Sequence, residues 1–396
     1  MSGLLAAARD RLFPLGVPLA WRQLAAERKR FLAAVAGVTF AVTLMLFQMG
    51  IYVAIFEKVV YPHRALRGDL VLTSRDYLNL YSNGLFTRRR LDQALGVEGV
   101  ESVVPLWVGS ATMRNPVTRQ NMRICVFGIV PSRNPFALPE VERSLGVLST
   151  AEGVLFDRRG LKEYGPIARL FAERGPVETE VGDRRVVIRG LFSMGGTISS
   201  GGHVVAGEEA YFRLVPAHPR NMINVGLVRL RPGVDAALAA ERLRAALPRD
   251  VAVFTHEAFV AEEKRYWNER SPLAFVFLGT MLVAMTVGAV IVYQVLYTDV
   301  SDHIHEYATL KAIGAGDRFF LSLVLQQAVI LMACGFVPGT LATALLFAVA
   351  RSKAVMPAYL TAGNVSLVLV LAFLMCALAG VLALRRLRNA DPADVF

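Results

Sequence analysis

Charged side chains are scarce in this 396-residue sequence, where Asp, Glu, Lys and Arg together make up 19% of the chain. A typical soluble protein has about 25%. Four long apolar stretches contain no charged residue and no histidine, namely residues 31–56, 273–297, 319–350 and 365–384. Each is long enough to cross a bilayer as a helix, which takes about 20 residues. The pattern excludes most soluble enzymes and predicts a polytopic α-helical membrane protein.

Cysteine is equally sparse, with three residues in the whole chain. Cys125 alone falls in the long segment between the first and second apolar stretches, which excludes a disulfide within that segment. Cys334 and Cys376 lie inside apolar stretches. We expect all three to be small buried hydrophobic residues.

Motifs of catalysis and nucleotide binding are missing as well. The chain has neither a G-x-x-x-x-G-K-[ST] phosphate loop nor a G-x-S-x-G nucleophile motif. The net charge is +11, but the basic residues are scattered, without a zinc-finger or RNA-binding pattern. We therefore expect a chain that is not an enzyme, has no cofactor or metal, and binds membrane lipid rather than nucleic acid.

Basic residues gather at the two ends, with Arg28, Lys29 and Arg30 before the first apolar stretch and Arg385 and Arg386 after the last. The positive-inside rule then places both termini in the cytoplasm, with the chain in the inner (plasma) membrane. The leader 1–14 has no assigned role. The predicted regions are a cytoplasmic N-terminal segment (1–30), TM1 (31–56), an extracytoplasmic, periplasmic domain (57–272), TM2 (273–297), a cytoplasmic coupling loop (298–318), TM3 (319–350), a short outer loop (351–364), TM4 (365–384) and a cytoplasmic tail (385–396).

The large domain has α+β patterning at both of its ends. The predicted order is a strand at 69–73, a helix at 88–95 and strands at 100–108 and 122–130, followed by a strand at 223–230, a helix at 235–247 and a strand at 251–255. This order suggests a ferredoxin-like lobe formed by both ends of the segment. The middle, about 131–219, is rich in Gly and Pro with short β-like stretches, and we interpret it as an inserted β-rich lobe.

Ionisable residues inside spans usually mark ion or proton pathways, so their absence here argues against an ion-coupled carrier. The polar residues that remain are four glutamines, for which we expect hydrogen bonds between helices: Gln48, Gln294, Gln326 and Gln327. Gly335 and Gly339 form a G-x-x-x-G pattern, which favours close helix packing.

The coupling loop is the best candidate for contact with a cytosolic partner. Ser301 is expected to cap a short polar helix that starts in this loop, and Gly314 is expected to end it. The candidate contact residues are Glu306, Tyr307, Leu310, Lys311 and Gly314. A plain connecting loop is the alternative.

Several stretches resemble a known family. One long domain after the first of four spans, the loop EYATLKAIGA and the closing RRLRNADPADV resemble the FtsX/MacB-type permeases of ABC systems, and among them the cyanobacterial DevC-type permeases. The longest supporting stretch is VIVYQVLYTDVSDHIHEYATLKAIGA, and PLAWRQL near the N-terminus agrees with it.

The resemblance implies a homodimeric permease that lacks its own nucleotide-binding domain. Its partners would be a separate cytosolic ABC ATPase, a periplasmic membrane fusion protein and a TolC-like outer-membrane channel. Motion of the ATPase would pass through the spans to the outer domains and drive export of an amphiphile such as a glycolipid. Two alternatives are a lipoprotein-extracting permease and an FtsX-like signalling element that controls an outer cell-wall hydrolase.

Overall fold

The computed structural model forms two compact units, which are described separately. Met1–Ala54 and Leu273–Phe396 form the membrane unit, and Ile55–Pro272 forms the inter-span domain. The residues that the structure describes are Trp21 and residues 27–82, 84–270, 272–305, 309, 313, 316–352 and 359–388.

Four helices are long and apolar enough to cross a membrane in the described part of the chain. Their bounds are Arg28–Arg64 (α1), Pro272–Asp302 (α8), Asp317–Ser352 (α9) and Ala362–Arg388 (α10). Large apolar side chains on these helices are exposed, such as Phe275 and Leu345. That exposure suits helices whose solvent is lipid rather than water.

Small residues let α1 and α9 approach closely. A Cβ atom on Gly335 would lie 2.5 Å from Val38 Cγ1, and one on Gly339 would lie 2.9 Å from Val42 Cβ. Thr43 Oγ1 also donates a hydrogen bond to the Gly339 carbonyl at 3.3 Å. The close packing expected from the G-x-x-x-G pattern is confirmed, and the helix that uses it is α1.

The glutamines of the spans also form hydrogen bonds. Gln48 Nε2 on α1 lies 3.3 Å from the Phe277 carbonyl on α8 and also contacts the Thr280 hydroxyl. Gln326 Nε2 lies 3.3 Å from Ser322 Oγ on its own helix. The expected bond between helices is therefore confirmed for Gln48.

The inter-span domain begins and ends with a ferredoxin-like arrangement. Four strands pair antiparallel in the order β11-β1-β10-β3. Two helices lie between them in sequence and pack against one face, where their apolar residues share a core with the strands. These elements are β1 (Leu70–Ser74), α2 (Arg89–Leu95), β3 (Val100–Arg114), β10 (Val225–Leu230), α6 (Ala236–Ala246) and β11 (Val251–Thr255).

Local chemistry supports the limits of these helices. Asp235 precedes α6, and its side chain accepts a hydrogen bond from the Leu238 amide at 2.9 Å. Thr255 caps the next helix in the same way through the Ala258 amide. Each cap satisfies one amide that a helix start leaves without a partner. The predicted strand-helix order of this lobe agrees with the structure, except that the strand predicted at 122–130 belongs to the part of the sheet described next.

The middle segment extends the same sheet and closes it on itself. β3 pairs with β4, β4 with β8, β8 with β5, β5 with β7, β7 with β6, and β6 returns to the far end of β3. Six strands therefore form a closed ring that shares β3 with the ferredoxin-like sheet. The added strands are β4 (Asn121–Ile129), β5 (Gly153–Asp157), β6 (Val177–Val181), β7 (Arg184–Phe192) and β8 (His203–Gly207).

A two-residue turn joins β6 to β7. Gly182 and Asp183 both have positive φ, 58° and 57°, as a type I′ hairpin turn requires. The remaining short elements are β2 (Phe86–Thr87), α3 (Pro139–Arg143), α4 (Ile167–Arg174), α5 (Glu208–Leu214), β9 (Met222–Ile223), α7 (His256–Glu269) and two 3₁₀ turns, Leu145–Ser149 and Lys162–Tyr164.

The structure differs from expectation in several places. α1 runs past the predicted end at residue 56 to Arg64. The strand predicted at 100–108 continues to Arg114, because its second half forms a wall of the ring. α8 runs past the predicted end at residue 297 to Asp302. The expected helix start at Ser301 is therefore wrong, since Ser301 lies inside α8.

Candidate functional site

The predicted contact residues of the coupling loop lie outside the described residues: Glu306, Tyr307, Leu310, Lys311 and Gly314. What the structure describes is the helix end that leads into this loop. That end carries polar side chains that connect α8 with its neighbours in the membrane unit.

The first connection joins α8 to α9. Gln327 Nε2 donates a hydrogen bond to Asp299 Oδ2 at 2.7 Å, and both side chains are buried. A bond to a carboxylate is stronger than one between neutral groups, and burial makes its loss more costly. The bond between helices that was expected for Gln327 is therefore confirmed, and its partner is Asp299.

The second connection joins α8 to the start of α1. Arg30 contacts the Asp302 carboxylate, and its Nη1 lies 2.7 Å from Glu27 Oε2. The Arg30 and Asp302 side chains are each 45% exposed, so water screens this pair and it adds little to stability. The exposed pair is a weak contact between α8 and α1, whereas the buried Asp299–Gln327 bond holds α8 against α9.

Together these contacts make the end of α8 a junction of three helices, which we call the α8 junction (Arg30, Asp299, Asp302 and Gln327). His303 follows directly, and its Nδ1 lies 2.9 Å from the Asp299 carbonyl. A displacement of the loop that begins there would act on α1, α8 and α9 at once.

A second buried polar cluster lies in the inter-span domain, where Glu263 of α7 is its centre. Its Oε2 lies 2.9 Å from His63 Nε2 and accepts a hydrogen bond from the Tyr77 hydroxyl at 3.1 Å. Its Oε1 accepts from Trp267 Nε1 at 2.9 Å, and Oε2 also accepts from the Leu80 amide at 3.3 Å. We call His63, Tyr77, Glu263 and Trp267 the Glu263 cluster.

Two of the four side chains of the Glu263 cluster are shielded from solvent, and the other two are partly buried. His63 and Glu263 are fully buried, and the Phe259 ring packs against His63 and Tyr77. Burial, followed by the nearby Glu263 carboxylate, raises the pKa of Tyr77 well above its usual range. Tyr77 therefore stays protonated and donates to Glu263. A buried carboxylate with this many donors resists displacement, because moving it would leave several polar groups without partners.

The Glu263 cluster joins the end of α1 to the helix that precedes α8. His63 belongs to the last turn of α1, and Glu263 belongs to the helix that immediately precedes α8 in sequence. The two segments that connect the inter-span domain to the first and second spans are thus held to one another. They should move together rather than independently.

A third cluster organises the glycine-rich loop 195–202. Asp157 is fully buried and accepts hydrogen bonds from the Met194 and Gly195 amides at 3.0 and 2.6 Å. His203 Nδ1 lies 3.3 Å from Asp157 Oδ2, and its Nε2 lies 2.8 Å from the Tyr81 hydroxyl. The described residues contain no group of three His, Cys, Asp or Glu side chains arranged to hold a metal ion. The contacts of Asp157 anchor the loop.

Sequence reasoning identified some of these residues and missed others. Gln327 stood out as a polar residue in an apolar stretch. Asp299 was read only as part of a loop, although its position close to the end of the apolar stretch was a usable signal. Nothing in the sequence around His63 or Glu263 indicated a buried pair, because the two residues are 200 positions apart.

Two solved structures are similar to part of this chain. The periplasmic region of MacB from Actinobacillus actinomycetemcomitans matches at 11% identity, over 49% of this chain and 92% of that one, with a TM-score of 0.32. The extracellular domain of the noncanonic ABC-type transporter YknZ from Gram-positive bacteria matches at 17% identity, over 48% and 99%, with a TM-score of 0.31. No curated protein sequence matches the chain.

The fold defines a polytopic membrane protein with four candidate spans and a large, β-rich inter-span domain. Residues 278–392 match the family model described as the FtsX-like permease C-terminal region. This stretch extends from α8 through α9 to the end of α10 and beyond. The C-terminal membrane part of the chain is therefore similar to the C-terminal region of FtsX-like permeases.

Proposed function

We propose that this chain is the permease subunit of an ATP-driven ABC exporter, and that it transmits the motion of a separate cytosolic ATPase to the inter-span domain. The observation that carries this is the match of residues 278–392 to the FtsX-like permease C-terminal region. The matched stretch includes the whole predicted coupling loop, with Glu306, Tyr307, Leu310, Lys311 and Gly314.

The route of transmission starts at that loop. A push from the ATPase on residues 306–314 acts on the α8 junction, where Asp299 and Gln327 join α8 to α9. The helices then move as a group rather than one at a time. The chain itself catalyses nothing and moves in response to ATP hydrolysis in the other subunit.

The inter-span domain receives this motion through its two connections to the spans. The Glu263 cluster holds the end of α1 to α7, so the domain is driven by a pair of coupled helices. With both termini in the cytoplasm, this domain lies outside, on the periplasmic side. Its movement, rather than passage between the helices, then drives export, which agrees with apolar stretches that contain no ionisable residue.

The finer assignment follows the sequence resemblance to DevC-type permeases. The chain is a homodimer in a tripartite exporter, with a periplasmic membrane fusion protein and a TolC-like outer-membrane channel. Its cargo is an amphiphile such as a glycolipid. Such cargo suits a permease whose four apolar stretches contain no charged residue.

Capture of the intact complex tests the proposal. The tagged full chain is purified from native membranes after mild cross-linking, the partners are identified by mass spectrometry, and ATP hydrolysis is measured. We expect a separate ABC ATPase in the complex and hydrolysis only when it is present. Hydrolysis by the lone chain after removal of contaminants, or a complex without an ATPase, would overturn the proposal. A cell-wall hydrolase in place of a membrane fusion protein would overturn the export assignment.

A further inference from the structure

A cleft of about 430 Å³ opens on the inter-span domain, beside the start of β3 and the segment that follows β4. Its volume falls within the range of small-molecule sites, about 300–1,000 Å³. Three arginines and two glutamates line it together with apolar and small polar residues. The charged residues are Arg67, Arg133, Arg229, Glu101 and Glu142.

One arginine and one glutamate of the cleft form an ion pair. Arg67 Nη1 lies 2.6 Å from Glu142 Oε2, which also accepts a hydrogen bond from Asn134 Nδ2 at 2.8 Å. The Asn134 bond, assisted by the charge of Arg67, lowers the pKa of Glu142. Glu142 is therefore ionised and paired, and Arg67 is held in place.

The other two arginines retain unused donor capacity. Arg133 donates from Nη1 to the Val103 carbonyl at 3.4 Å, a long bond that occupies one of its five N–H groups. Arg229 is exposed on β10, opposite Ser102 of β3. Within the described part of the chain, neither Arg133 nor Arg229 forms an ion pair. Guanidinium groups with free donors suit phosphate and carboxylate oxygens, which they can bind through two hydrogen bonds.

The same cleft offers apolar contact. Leu95, which is exposed, and Leu145, which is partly buried, contribute to its lining, so a bound molecule would meet both a cationic and an apolar surface. Glu101 is the remaining carboxylate. With three arginines and two glutamates in the lining, the net charge of the cleft is positive. An anionic head with a short apolar portion fits this combination better than a polyanion or a neutral molecule.

We propose that this cleft binds the anionic head of a small amphiphile, with its phosphate-type oxygens on Arg133 and Arg229 and its apolar portion against Leu95 and Leu145. The shared chemistry is a phosphate group, which a lipid headgroup and free phosphate both provide. The site lies within the inter-span domain and binds whether or not the chain works with an ATPase. Loss of binding and loss of the ATPase partner are therefore separate outcomes.

Binding to the purified full chain in a non-ionic detergent tests the site. The probes are dihexanoyl phosphatidic acid, inorganic phosphate and uncharged dihexanoyl glycerol, measured by isothermal titration calorimetry. We expect phosphatidic acid to bind and dihexanoyl glycerol to bind far more weakly. Binding of phosphatidic acid without phosphate identifies a lipid headgroup as the source. If inorganic phosphate binds as tightly as phosphatidic acid, the ligand is free phosphate, and the proposed contact with an apolar portion is overturned.

Matched variants show which residues bind. Arg133→Gln/Arg229→Gln should weaken phosphatidic acid binding about tenfold or more, as expected for the loss of charge-assisted hydrogen bonds. Arg174→Gln/Arg189→Gln makes the same charge change at two exposed arginines elsewhere in the domain and should have little effect. If the double variant fails to fold, Arg229→Gln alone is tested, because this residue lies at an exposed position on a strand.

Three results would overturn the site: no binding of phosphatidic acid or phosphate to the wild-type chain, equal binding of dihexanoyl glycerol, or an equal loss in the control pair.

Discussion

His63 Nε2 and Glu263 Oε2 lie 2.9 Å apart in the inter-span domain, and both side chains are fully buried. The pair joins the last turn of the first span helix to the helix that leads into the second. A buried pair of this kind contributes little net stability compared with an apolar pair, but breaking it by removing one partner is costly. Its value here is that it fixes the relation between two helices.

Glu263→Ala should therefore destabilise the inter-span domain. The change leaves the Tyr77 hydroxyl, Trp267 Nε1 and the Leu80 amide without their acceptor, at a cost of about 3 kcal/mol or more. Thermal unfolding of the purified chain, followed by tryptophan fluorescence, should show a lower Tm. Glu257→Ala, at an exposed position on the same helix, is the control. An unchanged Tm for Glu263→Ala would show that the cluster is not needed for stability.

Gly339→Leu should disrupt the packing of α1 against α9. The new side chain would start 2.9 Å from Val42 Cβ, and overpacking of this kind costs about 1–3 kcal/mol. A lower Tm and a lower yield of folded protein in detergent would be the measured effects. Gly279→Leu is the matched control, because a Cβ there meets nothing within 4 Å. Equal effects of both variants would contradict the assigned contact.

Gln327→Leu should weaken the α8 junction without changing the volume of the side chain greatly. Asp299 then loses its buried donor, which costs about 1.5–3 kcal/mol for a bond to a charged group. We expect slower ATP hydrolysis by the captured complex, because α8 and α9 no longer move together. Gln326→Leu, at a position whose bond to Ser322 lies within one helix, should have a smaller effect. The reverse order would exclude Asp299 as the coupling contact.

Leu310→Asp tests whether the coupling loop docks on the ATPase. A buried anchor of an interface contributes about 2 kcal/mol or more, so the new charge should weaken association by roughly thirtyfold or more. Co-purification of the ATPase reports this effect. Ser352→Asp, which adds the same charge at the last residue of α9, on the side predicted to lie outside, is the control. Normal association of Leu310→Asp at wild-type expression would make the segment a plain connector.

Topology is tested by cysteine labelling in a background without the three native cysteines. Ser199 and Ser301 are both exposed, and the positive-inside rule places them on opposite sides of the membrane. An impermeant maleimide added to spheroplasts should label Ser199→Cys but not Ser301→Cys. Labelling of Ser301→Cys alone would invert the predicted orientation.

The sequence by itself determined the four candidate spans and the ferredoxin-like order of elements at both ends of the inter-span domain. Both follow from local patterns, namely long uncharged stretches and the alternation of apolar and polar residues along strands. It also pointed to Gly335, Gly339 and Gln327, because small and polar residues are conspicuous in an apolar stretch. Their partners on α1 and α8 were not readable from it.

Tertiary structure alone decided the closed ring of six strands and the partners of the buried polar groups. The ring closes where β6 meets the far end of β3, and nothing in either strand specifies the other. His63 and Glu263 were ordinary polar residues in the sequence, as were Arg133 and Arg229. A pattern along the chain records which side of an element is apolar, whereas pairing between distant residues depends on how the elements pack.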